Sequence, residues 1–146
     1  YHDTYGKCPY CVKINEELAQ EASIIIDGKY HVVFCPYSSS VPFETKIIPK
    51  RHYSRFDGLR PEETDELAEL LRVTLKKFHI GLNDPDHYFV IRTSPTSDGE
   101  LHYDHWRLSI TPRITTAAGF EIGSGIFINI MPPEKAAEFL RNVKVE

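Results

Sequence analysis

Two thiols three positions apart, in Cys8-Pro9-Tyr10-Cys11, are the side chains of this sequence whose type and spacing most directly point to chemistry. Such a pair either cycles between dithiol and disulfide or gives two thiolates to a metal ion. A zinc centre needs four borderline-soft ligands in a tetrahedron, and a single turn of chain can present both thiolates of a Cys-x-x-Cys pair. Histidine is the natural source of the other two. Of the seven histidines, His52 follows Pro49-Lys50-Arg51 at the end of an expected strand, and His105 opens another, so both stand where a side chain can be aimed. His2 is terminal, His31 lies within a strand, His79 sits at a helix end, and His87 and His102 flank loops. The gaps from Cys11 to His52 and from His52 to His105 match no short zinc-finger spacing, so at this stage both metal and redox chemistry stay open.

Cys-Pro-Tyr-Cys is also the dithiol sequence of glutaredoxins, and Val41-Pro42 imitates the Val-Pro such proteins place beside their active site. A redox dithiol needs its first sulfur exposed at the N-terminus of a helix that follows a buried strand. The residues before Cys8, Tyr-His-Asp-Thr-Tyr-Gly-Lys, are too polar for that strand, and the Gly-Gly turn expected after Val-Pro is missing. Redox is the second reading of the pair. The third cysteine, Cys35, ends the apolar run Val32-Val33-Phe34-Cys35 and reads as core packing.

The elements that must carry these residues follow from periodicity. Ile14, Leu18 and Ala22 predict an amphipathic helix over 12–22. Runs 23–26 and 30–35 flank Asp27-Gly28 and predict a hairpin with a two-residue turn, and 44–48 predicts a strand stopped by Pro49. From Pro61 to about Phe78, Leu67, Leu70, Leu71, Leu75 and Phe78 form one apolar stripe; acidic residues open this helix and basic ones close it. Further strands are expected at 88–93, 106–110 and 126–130, with a polar loop at 94–100 and a last short helix from Pro132-Pro133 through Leu140. This order gives an α+β domain: a largely antiparallel sheet, one long helix and short flanking helices.

Composition bounds what such a domain can be. With 146 residues, 41% hydrophobic and 26% charged, the chain suits a single domain spanning 1–146. A net charge of -4 and a pI near 6.0 provide no broad basic field for nucleic acid or an anionic membrane, although a local anion pocket is compatible with them. No apolar run approaches the roughly 20 residues of a membrane span, and the N-terminus lacks a signal-peptide layout, so a cytoplasmic location is expected. The opening residue is Tyr1, and the polar start reads as the approach to a domain in a longer chain.

Taken together, Cys8-Pro-Tyr-Cys11, Pro42-Phe43-Glu44-Thr45, Ile48-Pro49-Lys50-Arg51-His52, His105-Trp106 and Ala118-Gly119-Phe120-Glu121-Ile122-Gly123-Ser124-Gly125 resemble, in order, the C-terminal half of galactose-1-phosphate uridylyltransferases and the related ADP-glucose phosphorylases. The resemblance covers nearly the whole chain. It implies a histidine-triad-like fold and a structural zinc held by Cys8, Cys11, His52 and His105. It also implies that the chain is one half of a two-domain, homodimeric enzyme of galactose or related carbohydrate metabolism, acting on a hexose phosphate and a nucleotide sugar.

An active triad in that family has the form His-x-His-x-Gln, and its middle histidine carries the nucleotide. Here the stretch reads His105-Trp106-Arg107-Leu108-Ser109, with Arg107 at the nucleophile position and Ser109 at the third. A guanidinium stays protonated and has no lone pair to attack phosphorus, so this domain is expected to be silent by itself. The covalent histidine is expected in a catalytic N-terminal domain. Gly119, Phe120, Glu121 and Gly123 match the family stretch that contacts sugar phosphate; the other reading of that stretch is a glycine-rich turn with Phe120 in the core. Thr115-Thr116 stands where some uridylyltransferases carry a basic residue. Arg92, Arg107 and Arg113 converge on one sheet face if the strands pair as expected, which would make a vestigial nucleotide pocket. The alternatives are a free-standing nucleotide-binding or interaction module and a dithiol oxidoreductase.

Overall fold

The structure, a computed structural model, describes every residue except Thr96, Asp98 and Glu146. In chain order it consists of helices α1 (His2–Tyr5) and α2 (Pro9–Gln20), and strands β1 (Ile24–Asp27), β2 (His31–Phe34) and β3 (Thr45–Pro49). A 3-10 turn (Phe56–Gly58) leads to the long helix α3 (Pro61–Gly81), then strands β4 (His87–Arg92) and β5 (Arg107–Pro112), and helices α4 (Gly119–Ser124) and α5 (Pro133–Asn142). The strands form one antiparallel sheet in the order β1-β2-β3-β5-β4. This is the expected α+β architecture. Among the described residues no helix is long and apolar enough to cross a membrane.

β2 is buried along its whole length, which explains a run with no polar alternation. On one side Val33 joins Ile25, Ile47, Leu108 and Ile110 under α3 and α5, through Leu67, Leu70, Phe78, Ala136, Ala137 and Leu140. On the other, Val32 and Phe34 join Ile24 and Ile48 beneath Ile14 of α2. α2 covers only the β1-β2-β3 end of that second face. The β3-β5-β4 end is therefore open, and every residue of the edge strand β4 is exposed.

The first helix starts at Pro9, not residue 12, because proline suits the first helical position and Cys8 supplies the N-cap. Cys8 and Cys11 thus lie in one helical turn. α3 runs on to Gly81, past the expected end at 78, and Lys77 from its last turns donates to the carbonyls of Leu140 (2.7 Å) and Val143 (2.6 Å), closing the end of α5. The β1–β2 hairpin forms, but residues 28–30 connect it instead of a tight Asp27-Gly28 turn. The Glu66 carboxylate explains the wider turn: it accepts the amides of Lys29 (2.6 Å), Tyr30 (2.8 Å) and His31 (2.9 Å), and the His31 Nδ1–H (2.9 Å). Gly28 is needed there, since a Cβ would come within 2.9 Å of the His31 carbonyl.

One expectation and one alternative reading fail in the last third. Residues 126–130 form no strand: Ile126, Phe127, Ile128 and Ile130 lie exposed without a ladder partner, although β1 and β4 leave free sheet edges. Strand preference is realised only where side chains pack against a neighbouring strand, and this stretch docks on none. Residues 119–124 are helical, not a turn between strands, and Phe120 is exposed instead of packed in the core. The polar loop at 94–100 includes Thr96 and Asp98, which lie outside the described residues.

Burial pushes the Glu66 carboxyl up, but the hydrogen bonds from His31 and the amides of Tyr30, Lys29 and His31 prevail and hold it below its ordinary value of 4.5. A depressed carboxyl contributes stability that is full above its unfolded pKa and is lost as pH falls through the folded value. Glu66→Gln is expected to cost about 1–3 kcal/mol at pH 7, with the difference from the parent shrinking as pH falls below about 4.5. Urea denaturation at a series of pH values checks it.

Candidate metal centre

Four side chains from three separated parts of the chain meet at the N-terminal end of α2: Cys8 at its N-cap, Cys11 one turn on, His52 after β3 and His105 before β5. Their ligand atoms all lie within 4.8 Å of one another. Cys11 Sγ is 3.2 Å from His52 Nδ1 and 3.5 Å from His105 Nδ1. The two rings sit edge to face, 5.3 Å between centroids. Such a cluster can hold a metal ion.

The far sides of both imidazoles determine what the near sides can do. His52 Nε2 lies 3.2 Å from the Leu101 carbonyl, and His105 Nε2 lies 2.9 Å from the Pro49 carbonyl. A carbonyl only accepts, so in each ring Nε2 carries the hydrogen and neutral Nδ1 keeps its lone pair, aimed at the cluster. Burial and the neighbouring His52 push His105 down to about 4, which keeps it neutral at ordinary pH. Burial and the adjacent Cys8 push the Cys11 thiol up to about 11. A thiolate there therefore calls for a cation, and metal binding expels a proton.

Residues that sequence reading missed brace these ligands. The Arg51 guanidinium grips the buried Glu63 carboxylate through Nε (3.1 Å) and Nη2 (3.0 Å) and lies over the Tyr53 ring, tying the His52 segment to the start of α3. Ser54, fully buried, accepts the Leu101 amide at 2.9 Å and, through its own carbonyl, both the amide and the hydroxyl of Ser94. That network fixes the loop whose carbonyl orients His52. A lone serine in a polar stretch carries no such signal in the sequence.

Arg107, at the position of the expected nucleophile, is part of the same brace. Its Nη1 donates to the His105 carbonyl (2.9 Å) and to Asp104 Oδ1 (3.2 Å), and its guanidinium stacks over Tyr10, between the two cysteines, at 4.2 Å. Ser109, two residues on, faces Lys46 across the β3–β5 pair. Arg92 lies directly opposite Arg107 in the β4–β5 register, as expected, whereas Arg113 stands beyond β5 and outside the cavity those two line.

Gly119, Phe120, Glu121 and Gly123 are exposed or half-exposed on α4, a six-residue helix away from the cluster. Glu121 Oε2 accepts the Ala118 amide at 2.9 Å and so holds its own helix start. Glycine's conformational freedom is used at Gly125, with φ 70°, and not at Gly119 or Gly123, which have open space around them.

The sheet, the long helix across one face and the cluster before β5 define a histidine-triad-like fold. A zinc-bound histidine triad protein from Mycobacterium smegmatis shows the same fold, with a TM-score of 0.62 at 17% identity over 92% of this chain and 90% of that one. No family model matches the chain. It is 36% identical to an ADP-glucose phosphorylase from Arabidopsis thaliana over 99% of its own length and 40% of that protein's. It is 27% identical to a galactose-1-phosphate uridylyltransferase from Thermotoga maritima over 100% of its own length and 48% of that protein's. The Arabidopsis ADP-glucose phosphorylase structure with bound ADP-glucose superposes with a TM-score of 0.86 over 99% of this chain and 46% of the other. Over its whole length the chain is thus similar to ADP-glucose phosphorylase and galactose-1-phosphate uridylyltransferase, as a histidine-triad-like domain that spans less than half the length of these relatives.

Since Arg107 holds both the His105 backbone and the Tyr10 ring, Arg107→Ala is expected to weaken metal binding about tenfold with the secondary structure unchanged. Competition with a chromogenic chelator, alongside far-UV circular dichroism, measures both.

Proposed function

We propose that this chain is the C-terminal, zinc-stabilised domain of a hexose-1-phosphate nucleotidylyltransferase, supplying structure and sugar-phosphate contacts to a catalytic N-terminal domain that carries the covalent histidine. The observation that carries this reading is the contrast at β5: His105 is kept and aimed at the cluster, while Arg107 replaces the nucleophile and is spent on bracing it. A domain so arranged keeps its metal and gives up attack on phosphorus.

Zinc is the ion the donor set fits best. A tetrahedron with Zn–S about 2.3 Å and Zn–N about 2.0–2.1 Å has ligand edges of roughly 3.3–3.8 Å, close to the 3.2 and 3.5 Å separations of Cys11 from the two histidines. Two cysteines and two histidines fill all four positions, as in structural sites. Zinc held by Cys8, Cys11, His52 and His105 would cross-link α2, the segment after β3 and the segment before β5, and so contribute folding free energy. The buried position of Cys8 also favours a ligand over an exposed attacking thiol. Three free cysteines suit a cytoplasmic protein.

The proposed catalytic domain would need a surface to pack on. Tyr88, Phe89, Val90 and Ile91 of β4 and Ile126, Phe127, Ile128 and Ile130 are all exposed large apolar side chains. Association with the catalytic domain, and with a second copy in a homodimer, would cover them. On this reading Phe120, 56% exposed on α4, meets the sugar of a hexose phosphate or nucleotide sugar bound on the partner surface, with Glu121 beside it. Galactose metabolism is the setting suggested by the uridylyltransferase relatives.

Three outcomes are expected. The purified chain carries about one zinc by mass-spectrometric metal analysis, and changing Cys8 and Cys11 together to Ser removes it; a metal-free protein with a reversible Cys8–Cys11 disulfide would sink the reading. Apparent zinc affinity rises from pH 6 to pH 8, because the Cys11 thiol, raised to about 11, must surrender its proton. Incubated with ADP-glucose or UDP-glucose, the chain shows no nucleotidyl adduct by intact-mass measurement, whereas an adduct would contradict the assigned division of labour.

A further inference from the structure

We propose that the cavity alongside α2 is the port through which the ion of the metal centre enters and leaves, with His102 as the ligand that holds the ion in transit. This path presupposes the zinc centre proposed above and concerns how the ion arrives, not where it finally sits. A cavity of about 670 Å³ opens there. It is lined by Cys8, Cys11 and His52 of the cluster and by two exposed side chains outside it, Glu16 of α2 and His102.

The cluster is covered on the side of Cys8 and His105. His105 has no exposed surface, Cys8 is buried, and the Arg107 guanidinium lies over the Tyr10 ring between the two cysteines. Cys11 and His52 are only half-buried, and the His52 side chain keeps 28% of its surface. An ion on its way in or out, and any ligand competing for it, therefore meets Cys11 and His52 first, on the side of the cavity. When all four positions are filled, exchange calls for a free donor close by, because zinc can take a fifth ligand while one of the four leaves.

His102 is that donor. The other six histidines have partners: His2 has Asp3, His31 has Glu66 and His79 has Asp84, while His52, His87 and His105 face the carbonyls of Leu101, Pro85 and Pro49. Among the described residues His102 has no hydrogen bond or ion pair. Its place is nonetheless fixed. The adjoining Leu101 carbonyl accepts from His52 Nε2 (3.2 Å) and from the Asp104 amide (3.3 Å), and the Leu101 amide donates to the Ser54 hydroxyl (2.9 Å). A turn pinned to His52 thus brings an uncommitted imidazole to the cluster's own cavity. Glu16, also without a partner among the described residues, adds a carboxylate that favours a cation there. On the way out the bond from the ion to Cys11 or His52 breaks as the bond to His102 forms. A competing donor, such as a small thiol, then takes the ion from His102, and no electron changes hands.

The test is stopped-flow transfer of zinc from the loaded chain to pyridylazoresorcinol, a chromogenic chelator, with equilibrium affinity measured separately by competition. The rate is expected to grow with chelator concentration, since the competitor joins the ion before the last protein ligand leaves. His102→Ala should slow transfer about tenfold with zinc content and equilibrium affinity unchanged, because a ligand used only in transit speeds entry and exit alike. A merely structural role would shift the affinity as well. Asn15→Trp, which fills the cavity from α2, should also slow transfer, while His79→Ala, at the end of α3, transfers like the parent. A rate independent of chelator concentration, parent-like rates in both His102→Ala and Asn15→Trp, or a loss of affinity in His102→Ala that matches its change in rate would overturn the port and leave the zinc centre standing. A chain that binds no zinc overturns the centre itself, and the port with it.

Discussion

The centre of the molecule depends on two imidazoles whose outer N–H groups are committed to backbone carbonyls. His105 is tied to Pro49 at the end of β3 and His52 to Leu101 in the loop before β5, so each ring is oriented by the strand connection next to the other's. With Nε2 protonated in both, two Nδ1 lone pairs face Cys11. Buried lone pairs and thiols crowded together cost free energy unless something positive joins them. A cation would satisfy the group, and the surrounding bonds from Ser54, Arg51 and Arg107 hold the four side chains in place.

The sheet's two ends then take different parts. At the β1-β2-β3 end, α2 on one face and α3 with α5 on the other bury most of the strand residues, and this is where the two apolar clusters lie. At the β5-β4 end the outer face is bare and polar and the edge strand is exposed throughout. Arg107 stands at the boundary, with one nitrogen in the metal cluster's brace and the rest of its guanidinium beside the open cavity.

Legibility in the sequence followed how local each signal was. α3 was readable because five apolar residues repeat on one stripe and its ends are marked by Pro61 and by opposite charges. Its last turn was not, since it continues past Phe78 on the strength of contacts to α5 made by Lys77. The stretch 126–130 misled for the opposite reason: Ile, Phe and Ile favour a strand, but that preference is realised only by pairing with a neighbour, and the stretch docks on neither edge of the sheet. The four clustered residues were named from the sequence, yet the carbonyls of Pro49 and Leu101 and the hydroxyl of Ser54, which decide how the rings point, carry no residue-type signal.

By itself the sequence determined the class of domain, the identity of the four converging side chains and the absence of a nucleophile beside His105, because these depend on residue type and order along the chain. Only the tertiary structure decided that His52 and His105 present Nδ1, that Arg107 is employed in bracing, and that Lys46 and Arg92 share its cavity. Those facts depend on register and on backbone groups brought together from positions 49, 101 and 105. Every residue has such groups, so their pairing is invisible until the chain has folded.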